Sequence, residues 1–287
     1  MSRWSNFRMK CVYVSGYYHV RKKQDHTPEK MEFGRYLKLI PGTIELLQGS
    51  TLVFFYEEDF ILELFQRLCI NHDVSLIAIH RKTTELPAYE DVVAMQDFIS
   101  NAGRYEIHKL ADRFPRDKGT HHFRKFFCRY KDPEIYRQNV SIWLSKIALV
   151  KTAMDSIESA QWFAWVDAGI SRFNHRRTKW RFPVVTPTAD QIMHYGSVQH
   201  YMGKRLPLNA SYLCGHRRTW ERLNDVFYAQ LRKSINNAYV HDEETILGNV
   251  YQQHPELFCC LGNPITGNFL TRKLRKMANI VLDKDFR

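Results

Sequence analysis

Apolar residues in this chain fall into short unbroken runs, separated by longer stretches where they recur every third or fourth position. Lys10 to Tyr18 alternates and then tightens through Cys11-Val12-Tyr13-Val14 to Ser15-Gly16, which predicts a first strand. Pro28 opens a helix carrying Met31, Tyr36, Leu37 and Ile40, with an interruption expected at Pro41-Gly42. Thr51 to Tyr56 reads as a second strand, Asp59 to Cys69 as a helix and Val74 to Ile79 as a third strand. Strands and helices alternating at this spacing predict βαβ units on a parallel sheet. Pro87 to Ile99 looks helical, whereas Ala102 to Tyr130 is charged and aromatic without a clear period. Pro133 starts a long helix to about Glu158, with Val140, Trp143, Leu144, Ile147, Val150, Met154 and Ile157 on one face. It leads into Trp162-Phe163-Ala164-Trp165-Val166, an uncharged run suited to a strand buried on both faces.

Beyond that run the pattern predicts a basic loop over Arg172 to Arg181, a strand at Phe182 to Val185 and a helix from Thr188 to about Tyr201. A strand at Ala210 to His216, a helix from Thr219 to Asn236 and a helix from the acidic Asp242-Glu243-Glu244 through Tyr251 follow. Leu257 to Leu261 is the last predicted strand. No internal repeat or low-complexity linker divides the chain. One α/β domain is expected, with a core over about 10–262 and a basic, amphipathic tail over about 270–287.

Composition narrows the partners. The 287 residues are 44% hydrophobic, enough for a sizeable core, and the formal net charge of +12 calls for an anionic partner. Nucleic acid, a phospholipid surface and a phosphorylated small molecule all fit that charge. No apolar run approaches the roughly 20 residues of a membrane helix, and the basic N-terminus has no apolar segment behind it. The six cysteines show no C-x-x-C spacing and read as reduced core thiols. A cytoplasmic location is expected, with peripheral contact to a membrane as an extension of it.

The candidate chemistry gathers where ligands bind in open α/β sheets, at the carboxyl ends of the strands. Asp167 stands at the end of the Trp162–Val166 run, followed by Ala168 and Gly169, which let a ligand approach the backbone. Ser15-Gly16-Tyr17-Tyr18 follows the first strand, Lys146 lies in the long helix, and Asp242-Glu243-Glu244 begins a late one. A tyrosine can stack on a base, a lysine can neutralise a diphosphate, and an aspartate can hold a divalent cation. A further carboxylate can serve as base toward an acceptor hydroxyl. Each also has an ordinary structural reading: core packing for the tyrosines, a solvated helix edge for Lys146, and the acidic first turn of a helix for Asp242-Glu243-Glu244.

The order of these motifs resembles the HtrL/YibB (WlaTC) group of proposed glycosyltransferases. The resemblance rests on Val12 to Tyr18 with Arg21, Leu52 to Tyr56 and Trp143-Leu144-Ser145-Lys146-Ile147. It continues in Phe163 to Ile170, and in Asp242 to Leu247 with Pro255 to Phe258. It implies a GT-A-like, Rossmann-type, mostly parallel sheet flanked by helices, binding a nucleotide-sugar donor. It places Tyr17 and Arg21 in the donor nucleotide region and Asp242 or Glu243 near the acceptor; Gly16, Lys146, Asp167, Ala168 and Gly169 are expected on the donor side with them, and Asp242 or Glu243 as catalytic carboxylate. Asp167 takes the place of the first acid of a D-x-D metal motif, but the third position is Gly169. A divalent cation (Mn2+ or Mg2+) at Asp167 would therefore need His216 or His241 as a further ligand, or only water and phosphate oxygens. The acceptor implied is a glycan, lipid-linked or protein-linked.

Two other readings start from different residues. Basic residues interleave with aromatics over 116–131 (Phe123, Phe126, Phe127, Tyr130) and over 172–181, as in grooves for single-stranded nucleic acid. No nucleic-acid module pattern accompanies them, and no specific nucleic-acid partner is expected. The second alternative is a catalytically inactive nucleotide-sugar-binding relative. In the tail, Leu274, Met277 and Val281 form an apolar stripe among basic residues, suited to an anionic membrane surface or to packing on the domain.

Overall fold

A computed structural model describes residues 11–20, 29–130, 132–173, 189–237, 239 and 242–262. Among them a single seven-stranded sheet forms the centre: β1 (Cys11–Gly16), β2 (Thr51–Tyr56), β3 (Ser75–His80), β4 (Trp162–Val166), β5 (Ile192–Tyr195), β8 (Asn209–His216) and β9 (Phe258–Cys260). Its order is β3-β2-β1-β4-β8-β5-β9. β1 runs parallel to β2 and β4, β2 to β3, and β5 to β9, while β8 is antiparallel to both β4 and β5. A short hairpin, β6 (His200–Tyr201) with β7 (Lys204–Arg205), stands apart from it. The architecture is the expected mostly parallel α/β sheet with flanking helices.

Alternation along the strands sends side chains into two layers of helices. Val12, Val14, Val53, Phe55, Phe163 and Trp165 enter a core with α3 (Tyr89–Ser100), α6 (Pro133–Ser156) and α7 (Arg217–Ser234). Leu52, Phe54 and Tyr56 enter one with α1 (Glu29–Leu46) and α2 (Asp59–Asn71). As its apolar run predicts, β4 is buried on both faces. α6 begins at a capping Asp132 that accepts the Glu134 N–H at 3.0 Å, with Pro133 in the first turn. The turn from α6 into β4 is pinned by the Arg217 guanidinium, which donates to the carbonyls of Met154, Ile157 and Ala160 at 2.9, 2.7 and 3.2 Å.

Three expectations change. Pro41-Gly42 does not interrupt α1, because Ile40, Ile44 and Leu47 stay on one buried stripe across the proline. A Cβ at Gly42 would stand 3.1 Å from the Ser171 Cβ, so the glycine admits that neighbour. Thr188 to Tyr201 is not a helix. Ile192, Met193, His194 and Tyr195 are all buried in β5, held between β8 and β9, so tertiary pairing overrides local preference. The aperiodic stretch after Ala102 folds as α4 (Arg104–Arg113), α5 (Lys118–Phe123) and a π-helix at Arg124–Tyr130. Phe123 and Phe126 are buried there, so they are core residues and no platform for stacking bases. Strand Phe182 to Val185, most of the basic loop and the C-terminal tail lie outside the described residues.

All six cysteines are free thiols, with Cys69 and Cys214 buried and Cys128 and Cys260 exposed. Among the described residues no helix is long and apolar enough to cross a membrane. The sheet depends on α7 through Trp220, which is 1% exposed and donates its indole N–H to the Phe163 carbonyl at 2.9 Å. Trp220→Ala should cost about 3–5 kcal/mol of unfolding free energy in urea; a midpoint equal to that of the wild type would show that α7 does not anchor β4.

Candidate active site at the end of the central strand

β4 delivers Asp167 to the carboxyl edge of the sheet, where its N–H bonds to the Ser211 carbonyl of β8 at 2.9 Å. The pairing of Val14 with Trp165 places Gly16, two residues further along β1, beside Asp167. Three side-chain donors converge on this carboxylate. Oδ1 accepts the Lys146 ammonium at 2.8 Å and the Trp165 indole N–H at 3.0 Å, and Oδ2 accepts Arg172 Nη2 at 3.3 Å. Burial would raise the Asp167 pKa, but Lys146 and Arg172 outweigh it and hold the carboxyl well below the usual carboxylate range.

Lys146 is no solvated helix edge. It is 5% exposed, and its second partner is Glu243 Oε1 at 2.7 Å. Burial works to deprotonate it, and the two carboxylates more than reverse that, so its pKa lies above the ordinary lysine value. Glu243 opens α8 (Glu243–Gln253) and is 6% exposed. Its Oε2 is buried and accepts no hydrogen bond from the described residues.

Asp242 and Glu244 belong to a second, adjoining cluster. Asp242 caps α8: Oδ1 accepts the Thr245 N–H at 3.0 Å, and Thr245 Oγ1 accepts the Asp242 N–H at 3.0 Å. Its Oδ2 lies 2.6 Å from the Lys118 ammonium and 3.6 Å from His122 Nδ1. Lys118 also meets Glu244 Oε2 at 3.0 Å, and the Ala210 N–H donates to Glu244 Oε1 at 3.1 Å. His122 is pushed well below its ordinary pKa by burial and by Lys118, so it stands neutral. Asp167, Asp242, Glu243 and Glu244 outnumber Lys118, Lys146 and Arg172 by one charge. Burial raises the Glu244 pKa against the pull of Lys118, and the neighbouring Glu243 and Asp242 charges add to the rise.

The remaining residues singled out from the sequence are placed as follows. Tyr17 donates its N–H to the Phe55 carbonyl at 3.1 Å and packs against the α1–α2 core. Ala168 and Gly169 are buried, and the Gly169 carbonyl accepts from the Arg172 N–H and Nη1, both at 3.1 Å. Arg21 and His241 lie outside the described residues. His216 pairs with Trp162 at the start of β4, the end of the strand away from Asp167, and so cannot share a cation with it. Glu244 entered the sequence reading only as the third acid of Asp242-Glu243-Glu244, and Lys118, His122 and Arg172 only as members of the two basic stretches. Arg172, five positions after Asp167 at the head of the basic loop, was the one with a legible signal.

The donor set at Asp167 does not fit a divalent cation. Both its oxygens already face cationic or N–H donors, and no group of three His, Cys, Asp or Glu side chains among the described residues is disposed to hold a metal. At an effective dielectric near 20, unit charges 4 Å apart interact by about 4 kcal/mol. A dication at Asp167 would have to displace this ammonium or guanidinium from the carboxylate or meet the repulsion of both. A shallow cavity of about 310 Å³, lined by Gly49, Ser50, Asp73 and Ser75, lies at the opposite edge of the sheet and has no part in this network.

A family model described as "Bacterial protein of unknown function (HtrL_YibB)" matches residues 72–272. The chain belongs to this family. The match spans Lys118, Lys146, Asp167, Arg172 and Glu243 and so takes in both charge clusters, while β1 and β2 precede it. No curated protein matches the sequence. Among solved structures, the chain is similar to a glycosyltransferase involved in the glycosylation of the major capsid of PBCV-1. That likeness has 12% identity and a TM-score of 0.40, covering 89% of this chain and 82% of that one. It is also similar to the glycosyltransferase GlyE of Streptococcus pneumoniae TIGR4, at 8% identity and a TM-score of 0.42, over 88% of this chain and 45% of that one. Likenesses this distant carry no functional argument.

Within the family fold, Lys146 is the joint of the site. Lys146→Met removes the ammonium and leaves two carboxylates without their shared partner, which should cost about 3–5 kcal/mol in urea unfolding. An unchanged midpoint would mean that the ammonium does not bridge Asp167 and Glu243.

Proposed function

We propose that this protein is a glycosyltransferase that moves a sugar from a nucleotide-sugar donor to a hydroxyl of a glycan, lipid-linked or protein-linked acceptor. The observation that carries the reading is Glu243. Lys146 fixes its Oε1 and ties it to the strand-end Asp167, while Oε2 is buried and accepts no hydrogen bond from the described residues. A carboxylate oxygen without a donor, beside a strand-end ligand edge, is free to accept a proton as a general base must. The sequence resemblance to the HtrL/YibB group supports the same reading. So does the mostly parallel sheet with an acid at the end of its central strand, as the GT-A-like resemblance implies.

In the transfer we propose, Glu243 Oε2 takes the proton of the acceptor hydroxyl. The hydroxyl oxygen bonds to the anomeric carbon as the bond from that carbon to the diphosphate breaks, and the nucleoside diphosphate leaves with the electron pair. Attack from the face opposite the leaving group inverts the anomeric centre. Asp167 acts by orientation: it holds Lys146 and Arg172, and through Lys146 it sets Glu243. Asp242, with its oxygens on the Thr245 N–H and Lys118, is a positioning residue that fixes the start of α8.

Screening nucleotide-sugars for thermal stabilisation identifies the donor, because a ligand of the native state raises the midpoint. With that donor, Glu243→Gln should lower the transfer rate by about 10²–10⁴ and leave donor affinity unchanged. Asp242→Ala should lower the unfolding midpoint through the lost cap, worth about 1 kcal/mol in an ordinary helix. A Glu243→Gln variant that turns over like the wild type would remove the carboxylate from the chemistry.

A further inference from the structure

We infer that the Arg172 guanidinium, and not a divalent cation, receives the donor's diphosphate. This rests on the transferase reading and adds the means by which the leaving group's charge is met. The cations of the site differ in availability. The Lys146 side chain is 6% exposed and closed in between two carboxylates, and Lys118, at 17%, is shared by Asp242 and Glu244. Arg172 is 29% exposed at the same edge of the sheet.

Its geometry is also fixed in advance. Nη1 donates to the Gly169 carbonyl at 3.1 Å, and Nη2 donates to Asp167 Oδ2 at 3.3 Å and to Ser211 Oγ. The Phe173 ring lies 4.8 Å from the guanidinium carbon. Among the described residues these bonds leave Nε–H and one Nη1–H without an acceptor; they lie on different edges of the guanidinium plane, so each meets a phosphate oxygen singly. Asp167 thus serves as the anchor of the anion receptor. The absence of a second acid at Gly169 follows, since no cation needs a second carboxylate there.

Calorimetric titration of the full chain with UDP, GDP, ADP, CDP and dTDP, in excess EDTA and in Mn2+, decides it. At least one nucleoside diphosphate should bind with the same affinity in both buffers. Arg172→Ala should weaken that binding by about 10–100-fold, the loss of charge-assisted hydrogen bonds, and Arg172→Lys should recover part of it. Binding that appears only with Mn2+ would overturn the inference and leave the transferase reading standing, as would Arg172→Ala binding with wild-type affinity. Absence of binding in both buffers would overturn both. The wild-type comparison stands even where Arg172→Ala fails to fold.

Discussion

The Lys146 ammonium, buried between Asp167 and Glu243, is the contact on which the rest of the site depends. Taking an ammonium and two carboxylates out of water costs several kcal/mol per ion, which only close, hydrogen-bonded pairing recovers. Here the distances are 2.8 and 2.7 Å, and the Trp165 indole adds a donor to Asp167. Such a cluster is weak evidence of stability for its own sake, because an apolar replacement of equal volume would serve as well. It makes sense as orientation. One cation joins the end of the central strand to the start of a helix more than seventy residues later, so neither acid can move without the other.

The strands around that contact were legible because burial on both faces leaves an unmistakable run, as in Trp162 to Val166 and Thr51 to Tyr56. Asp167 was legible as the only charge to break its run, and Lys146 because the long helix brings it to the same sheet edge. Less visible was everything set by tertiary contact. Ile192 to Tyr195 follows a helical pattern as well as it follows a strand, and only β8 and β9 on either side make it β5. Lys118 and His122 sit in a stretch without period, because its short helices are amphipathic against several elements at once. Pro41 marks a helix end locally, yet the buried stripe of Ile40, Ile44 and Leu47 carries α1 through it.

Sequence left Asp242 and Glu243 equivalent: adjacent acids at a helix start. Their environments separate them. Asp242 has the Thr245 N–H on one oxygen, and its other oxygen, which accepts no hydrogen bond from the described residues, is ion-paired with the Lys118 ammonium at 2.6 Å. Glu243 keeps one buried oxygen without a donor among the described residues, and native proteins rarely leave a buried polar atom in that state without a reason. The metal expectation turns on the same kind of accounting. An acid read as a cation ligand is already engaged by a lysine, an arginine and an indole, which the linear spacing of Asp167 and Gly169 could not disclose.

That Asp167 and Glu243 act as one unit through Lys146 is tested most directly by a double-mutant cycle on unfolding free energy, using Asp167→Asn, Glu243→Gln and the double variant. Residues that share a partner couple by about 0.5–3 kcal/mol, so the double variant should differ from the sum of the single ones by an amount in that range. Additivity within about 0.3–0.5 kcal/mol would show two independent acids and contradict the account.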